Sequence, residues 1–317
     1  MDQEPLIVVE RVSRWYGSHL ALNDISFTVR RGEVLGFLGP NGAGKTTTMQ
    51  IVCGVLAPHG GRVTIAGRDL AASPREAKAN IGYLPEDPPL YLDLSVDQYL
   101  AFCAGLRGVP RRSRASAVAN AKERCGLGDV GRRLIGNLSR GYQQRVGIAQ
   151  AIIHSPAVVI LDEPTVGLDP RQIVGIRELI RELGEDHGVM LSTHILPEVQ
   201  TTCDRVLIIN RGRLLVDEPM ETLRGGGPAR DWTVALASPP VPEELEALPG
   251  VARVQVVDRN RFRVTFRKGA PDAAAGLAEH AVKAGWGLYE LVPDTGTLEE
   301  TFLRVTGSHV PVPADAS

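Results

Sequence analysis

The stretch Val34-Leu-Gly-Phe-Leu-Gly39-Pro-Asn-Gly-Ala-Gly-Lys-Thr46-Thr47 decides the reading of this 317-residue chain. A short apolar run leads into the pattern G-x-x-x-x-G-K-[ST], and a helical pattern follows it. A strand, a glycine-rich turn and a helix in that order make a phosphate cradle. The glycines let the backbone curl until its N–H groups converge on phosphate oxygens at a positively polarised helix N-terminus. Gly39, Pro40, Asn41, Gly42, Ala43, Gly44, Lys45, Thr46 and Thr47 are therefore the candidate nucleotide-binding residues. Lys45 adds a cation near the phosphate to be transferred, and Thr46 a hydroxyl for Mg²⁺. The competing reading is a glycine-rich turn that matches by accident, and the strand-to-helix placement argues against it.

Val158-Val-Ile-Leu-Asp162-Glu163 supplies the complement. Four apolar residues ending in an acid put Asp162 at the C-terminal edge of a buried strand, where it can hold Mg²⁺ directly or through water. Glu163 can reach the water that attacks the γ-phosphate and act as its base. Alone, an acidic strand end is a weak signal; beside the cradle it gains force.

The rest of the chain is consistent with this. Lys+Arg number 35 and Asp+Glu 37, a net charge of −2, which argues against a general polyanion binder, so no nucleic-acid partner is expected. Hydrophobic residues at 43% and charged residues at 23% describe a globular protein with ample core. The 4 cysteines are scattered without a Cys-x-x-Cys pair, which fits thiols in a reducing cytosol. No window approaches the roughly 20 apolar residues needed to span a bilayer.

Residues 5–222 alternate short β-rich runs with helical patterns. Val34–Gly39, Val158–Asp162, Val189–His194 and Arg205–Asn210 are strand candidates, several of them apolar throughout instead of alternating, as in strands covered on both faces of a parallel α/β sheet. Residues 95–135 read as a helical insertion. Residues 223–230, with three glycines and a proline, read as a linker. Residues 231–306 have the order βαββαβ plus a final helix, a small ferredoxin-like α+β domain. Residues 307–317 read as a disordered tail. In Arg261–Arg267, apolar and basic residues alternate; the simpler reading is one face on a core and one in solvent, with an RNA or lipid-headgroup face as the alternative.

Five further segments extend the pattern. Leu138-Ser-Arg-Gly-Tyr-Gln-Gln-Arg145 precedes the acidic strand, and Val166-Gly-Leu-Asp169 follows it. His194 stands after the next strand, Trp15-Tyr16-Gly17 lies upstream of the cradle, and Ile81-Gly-Tyr-Leu-Pro-Glu86 between the two. Together they resemble the nucleotide-binding subunit of an ABC transporter from Leu6 to about Leu223. The form of the signature, Glu86 and the ending Leu298-Glu-Glu-Thr-Phe-Leu-Arg-Val-Thr-Gly look like the ABC-2 exporter group.

The resemblance implies a P-loop ATPase domain with a helical subdomain. It implies Tyr16 as the aromatic that stacks on adenine, against a packing role beside Trp15. It implies His194 as the switch histidine, Asp169 in the D-loop, and Ser139 and Gly141 as signature residues facing a second protomer's nucleotide. The implied metal set is Thr46, Glu86 and Asp162, with ATP and Mg²⁺ as ligands. One P-loop and one signature per chain imply a two-fold dimer, acting with an integral membrane permease at the cytoplasmic face. A soluble ABC ATPase with a regulatory role is the alternative.

Two departures stand out. Arg140 and Tyr142 replace the first Gly and the Gln of the common signature, and Glu86 replaces the usual Gln. Arg140 is read either as charge turned toward phosphate or as a solvated side chain. Leu90, Tyr91 and Leu94 are read as lining a groove for a coupling helix of the membrane subunit, against packing within the helical subdomain.

Overall fold

The computed structural model describes residues 4–223, 231–267, 273–293 and 298–307. The expected linker beyond Leu223 and the expected tail beyond Gly307 lie outside these residues. The chain divides into two compact units, Met1–Met220 and Glu221–Ser317.

The first unit runs β1 (Ile7–Tyr16), β2 (His19–Val29), β3 (Val34–Leu38), α1 (Lys45–Val52), β4 (Gly60–Ile65), β5 (Arg68–Asp69), α2 (Pro74–Lys78) and β6 (Ile81–Leu84). It continues with α3 (Val96–Leu106), α4 (Arg114–Arg124), α5 (Arg140–Ile152), β7 (Val158–Asp162), α6 (Pro170–Asp186), β8 (Gly188–Thr193), α7 (Leu196–Thr202), β9 (Arg205–Asn210) and β10 (Arg213–Pro219), then one turn, α8 (Met220–Leu223).

Six strands form one sheet in the order β10-β9-β3-β8-β7-β6. All pairings are parallel except the β9–β10 hairpin at one edge. Every residue of β3, β7 and β8 is buried. That is why their sequences carry continuous apolar runs instead of alternating, with polar residues, Asp162, Ser192 and Thr193, only at the C-terminal ends of β7 and β8. The order has a direct consequence for chemistry. β8 lies between β3 and β7, so whatever follows the C-terminal ends of these three strands must converge. Gly39 follows β3, Asp162 and Glu163 close β7, and His194 follows β8.

A second sheet, β2-β1-β4-β5, is antiparallel. Its Ile7, Val9, Ile25, Phe27, Val63 and Ile65 join Phe37, Met49, Ile51, Val158, Ile160 and Met190 in one hydrophobic cluster. The two sheets thus enclose α1, and the Phe27 and Phe37 rings meet at 5.7 Å. β1 and β2 are joined by Gly17-Ser18, with Tyr16 opposite His19.

The 95–135 segment is helical, as its composition suggests. Ser95 caps α3 with a reciprocal bond to Gln98. Lys122 on α4 pairs with Asp97 at 2.6 Å, and Arg145 on α5 reaches the Cys125 carbonyl at 3.0 Å.

The second unit runs β11 (Asp231–Leu236), α9 (Pro242–Glu246), β12 (Val251–Asp258), β13 (Arg261–Phe266), α10 (Ala273–Lys283), β14 (Leu288–Pro293) and α11 (Leu298–Thr306). Its sheet order is β12-β13-β11-β14, antiparallel throughout. β13 therefore sits between β11 and β12, which the α9 crossover joins: a split βαβ arrangement. Phe262, Val264 and Phe266 are buried in the core of this unit with Val234, Leu236, Leu277 and Trp286. Arg261 and Arg263 are exposed on the other face, and Arg261 pairs with Glu290 at 2.8 Å. The alternation in β13 thus corresponds to one face in the core and one basic face outside it.

Candidate functional site

The loop from Gly39 to Gly44 turns through two left-handed glycines, Gly42 at φ +77° and Gly44 at φ +112°. Gly44 caps α1, and no other residue fits there: a Cβ would lie 2.7 Å from Leu22 Cδ2 and 3.0 Å from the Ala21 carbonyl. The first turn of α1 holds no acidic residue, so its positive end is open to an anion.

Lys45 is buried, and its ammonium donates to the carbonyls of Gly39 at 2.8 Å and Pro40 at 3.4 Å. It also stands 3.6 Å from Glu163 Oε1. Glu163, itself buried, lies with Oε2 3.0 Å and Oε1 3.1 Å from His194 Nδ1. The P-loop lysine, the acid after β7 and the histidine after β8 thus form one linked set. Glu163 also has φ +48°, a left-handed backbone that is costly for a non-glycine residue. Its N–H donates to the Ser192 carbonyl at 3.1 Å.

Asp162 is buried at the end of β7, and the Ser192 hydroxyl donates to its Oδ1. Burial raises its pKa above the usual aspartate value; neighbouring Glu163 and Glu86 push the same way, against the Ser192 hydrogen bond and Lys45. A carboxylate held in this way is one that a cation would relieve. The oxygens of Asp162, Glu86 and the Thr46 hydroxyl are the hard donors that Mg²⁺ takes. Among the described residues no cluster of three or more His, Cys, Asp or Glu forms a cage of its own. That fits an ion whose remaining ligands are substrate phosphates and water.

A cleft of about 320 Å³ joins most of these parts; Asp162, Gly39, Pro40 and Ala43 are not among the residues that line it. Asn41, Gly42, Gly44, Lys45, Thr46 and Thr47 line it, with Tyr16, Glu86, Glu163 and His194 from the expected set. His19, Ala21 and Val166 complete the wall. His19 comes with Tyr16 as its partner across the β1–β2 hairpin, a neighbour that no local motif marks. Tyr16 and Trp15 separate clearly. The Trp15 ring packs edge-on against His59 at 6.0 Å, and the Trp15 backbone N–H donates to His59 Nδ1 at 3.1 Å. Tyr16 is 46% exposed at the cleft, with the Arg14 guanidinium 5.2 Å from its ring centre.

The signature residues lie elsewhere. Ser139 caps α5 and accepts from the Tyr142 N–H at 3.4 Å, while Asp169 caps α6 and accepts from Arg171 and Gln172, both at 3.0 Å. Neither lines the cleft of its own chain, nor does Gly141. A Cβ on Gly141 would come within 2.5 Å of the Gln172 amide carbon, so the starts of α5 and α6 pack closely. Gln143 and Gln144 line a separate groove of about 340 Å³ with Glu86, Asp87, Pro88, Leu90, Leu92 and Arg140. Of the three expected groove residues, Leu90 is there. Tyr91, 53% exposed, stands beside Phe102 at 5.6 Å and Tyr99 at 6.0 Å, and Leu94 is half-buried.

Glu198 escaped the sequence reading. It is 1% exposed on α7, accepting from the Thr165 hydroxyl and, at 2.8 Å, from the Thr193 hydroxyl. It ties the turn after Glu163 to the end of β8, just ahead of His194. Pro197-Glu198 inside a short helix carries no motif that would reveal this.

A family model described as ABC transporter matches residues 22–166. The ABC transporter ATP-binding protein YxlF of Bacillus subtilis (strain 168) is 31% identical over 302 residues, 95% of this chain and 99% of that one. The chain belongs to the ABC transporter ATP-binding proteins. It is also 35% identical over 221 residues to the bacitracin transport ATP-binding protein BcrA of Bacillus licheniformis, covering 69% of this chain and 71% of that one. Among solved structures, cbiO1 of Clostridium perfringens, part of the ABC transporter complex cbiONQ, aligns with a TM-score of 0.65 at 30% identity. The alignment covers 70% of this chain and 92% of that one. As an ABC protein the chain is a nucleotide-binding P-loop ATPase. No described helix is long and apolar enough to cross a membrane.

Within the ABC cleft, Tyr16 is expected to contribute through its ring. Tyr16→Ala should raise the KM for ATP about tenfold while Tyr16→Phe holds it, since stacking a base on an aromatic is worth about 1–3 kcal/mol. Steady-state ATPase assays over a range of ATP concentrations check this.

Proposed function

We propose that this chain is the ATP-hydrolysing subunit of an ABC-2 type exporter, working as a two-fold dimer with a separate membrane permease at the cytoplasmic face. The observation that carries the hydrolytic part is the buried Glu163 carboxylate, set between Lys45 and His194 at the cleft. Glu163 orients the attacking water and takes its proton, and His194 senses the γ-phosphate. Lys45 and the N–H groups of the P-loop stabilise the transferring phosphoryl group. Thr46, Asp162 and Glu86 are the residues that would hold Mg²⁺, which when bound neutralises charge between phosphate oxygens.

The dimer is supported by what the single chain leaves apart. Ser139 and Gly141 stand at a helix N-terminus with no acid in its first turn, ready for an anion, yet away from their own cleft. A second copy would bring that end to the first copy's ATP. The export assignment draws on the signature form and on the bacitracin relative. Residues 231–306 are the accessory part of this reading, joined through 223–230.

Mixing two defective chains tests the composite site. Lys45→Ala and Ser139→Ala chains, each inactive alone, should regain about a quarter of wild-type turnover at equal mixing. Half the dimers are then mixed, each with one intact interface of two. No recovery at any mixing ratio would refute independent composite sites.

A further inference from the structure

The sequence leaves Arg140 open between a phosphate ligand and a solvated side chain; the structure gives its guanidinium a neighbour. A Cβ on Gly167 would lie 3.0 Å from Arg140 Cζ, 3.1 Å from Nε and 3.3 Å from Nη1. Three atoms of the planar group therefore rest over the bare Cα of Gly167. Any side chain at 167 would lift them off.

Gly167 is the far end of a turn that begins at Glu163. The Val166 N–H donates to the Glu163 carbonyl at 3.3 Å, and the Leu168 N–H to the Thr165 carbonyl at 3.2 Å. Glu163 sits in the left-handed region at φ +48°, and such a residue persists where its surroundings over-determine it. Ser192, whose carbonyl accepts the Glu163 N–H, fixes one side. The turn fixes the other, and its outer end is where Arg140 bears. The Gly141–Gln172 approach fastens the same junction a second time, holding the start of α5 against that of α6.

We propose that Arg140 is a positioning residue for Glu163, acting through Gly167. The guanidinium braces the 163–167 turn, the turn holds the strained Glu163 backbone, and the backbone sets the carboxylate between Lys45 and His194. The proposal rests on Glu163 being the hydrolytic base. It does not need Arg140 to touch nucleotide, and Arg140 does not line the nucleotide cleft. Arg140 faces the Glu86–Leu92 groove as well, which places the brace between that groove and the catalytic turn.

The test is steady-state ATP hydrolysis by the full chain and by Arg140→Ala, Arg140→Lys, Gly167→Ala and the Arg140→Ala/Gly167→Ala double variant. Arg140→Ala should lower kcat about five- to tenfold with KM for ATP within about twofold, because geometry changes while the P-loop does not. Arg140→Lys should be as slow as Arg140→Ala, since an ammonium restores the charge but not the flat group. Gly167→Ala should also be slow, and the double variant no slower than the slower single. The strain of alanine at φ +75° enters both arms of the cycle and cancels. Recovery of kcat in Arg140→Lys would overturn the brace in favour of charge. A raised KM with unchanged kcat would make Arg140 a nucleotide contact, and additive losses would sever it from Gly167. Glu163→Gln, run alongside, separates the premises: normal turnover there discards the role of Glu163, while the Arg140–Gly167 coupling is read independently.

Discussion

Glu163→Gln is expected to bind ATP as the parent chain does and to hydrolyse it about 10²-fold more slowly or worse. The substitution keeps the shape and the oxygen that faces His194 Nδ1 at 3.0–3.1 Å, but removes the basicity. Glu163 meets the P-loop only at Lys45, and the substitution leaves the backbone cradle and that cation in place, so nucleotide affinity has no reason to fall. Affinity should rise slightly, because Lys45, 3.6 Å away, loses a competitor for its charge. Equilibrium binding of a labelled nucleotide and single-turnover hydrolysis together resolve the two quantities. A loss of binding in proportion to turnover would make Glu163 part of the cradle. Near-normal turnover would remove it from the chemistry. If the dimer reading holds, this variant should also accumulate as a dimer in ATP, since separation follows hydrolysis.

The same site shows what a sequence can and cannot display. Lys45, Asp162 and Glu163 were legible because a glycine-rich turn after one apolar strand and an acidic end on another survive as patterns in one dimension. Their meeting depends on β8 lying between β3 and β7, which no local pattern records. His194 and Tyr16 were legible only through the resemblance to ABC nucleotide-binding subunits, which supplies the order and spacing at which such residues are looked for. His19, the cleft partner of Tyr16, was not, because cross-strand pairing depends on the turn register. Glu198 was invisible for a related reason. A buried carboxylate bonded to Thr165 and Thr193 from positions 33 and 5 residues away looks in sequence like any polar residue on a short helix. Gly141 was singled out as a signature residue facing a second protomer's nucleotide, and the structure adds a close approach to Gln172 that the sequence does not display. Leu90 and Tyr91, neighbours in sequence, part in the structure: Leu90 lines the groove with Glu86 and Arg140, while the exposed Tyr91 ring lies beside Phe102 and Tyr99.

Lys45→Met should produce two losses that a second substitution separates. The first is binding: charge-assisted hydrogen bonds contribute about 1.5–3 kcal/mol each, so removing two to the phosphates lowers ATP affinity about 10²-fold or more. The second is stability of the empty chain. Glu163 is 7% exposed and Lys45 6%, so the lysine is the cation that accompanies a buried carboxylate. Breaking a buried pair by removing one member leaves the other charge uncompensated, at a cost of about 3–5 kcal/mol. His194 remains beside Glu163 and reduces the expected loss to about 2 kcal/mol. Adding Glu163→Gln to Lys45→Met removes the stranded charge, so the double variant should recover most of that stability in urea unfolding. It should recover none of the ATP affinity, because the phosphates still lack their cation. A double variant as unstable as Lys45→Met would mean that Glu163 does not depend on Lys45 for its buried charge. The loss would then come from the Gly39 and Pro40 carbonyls, which Lys45 also satisfies.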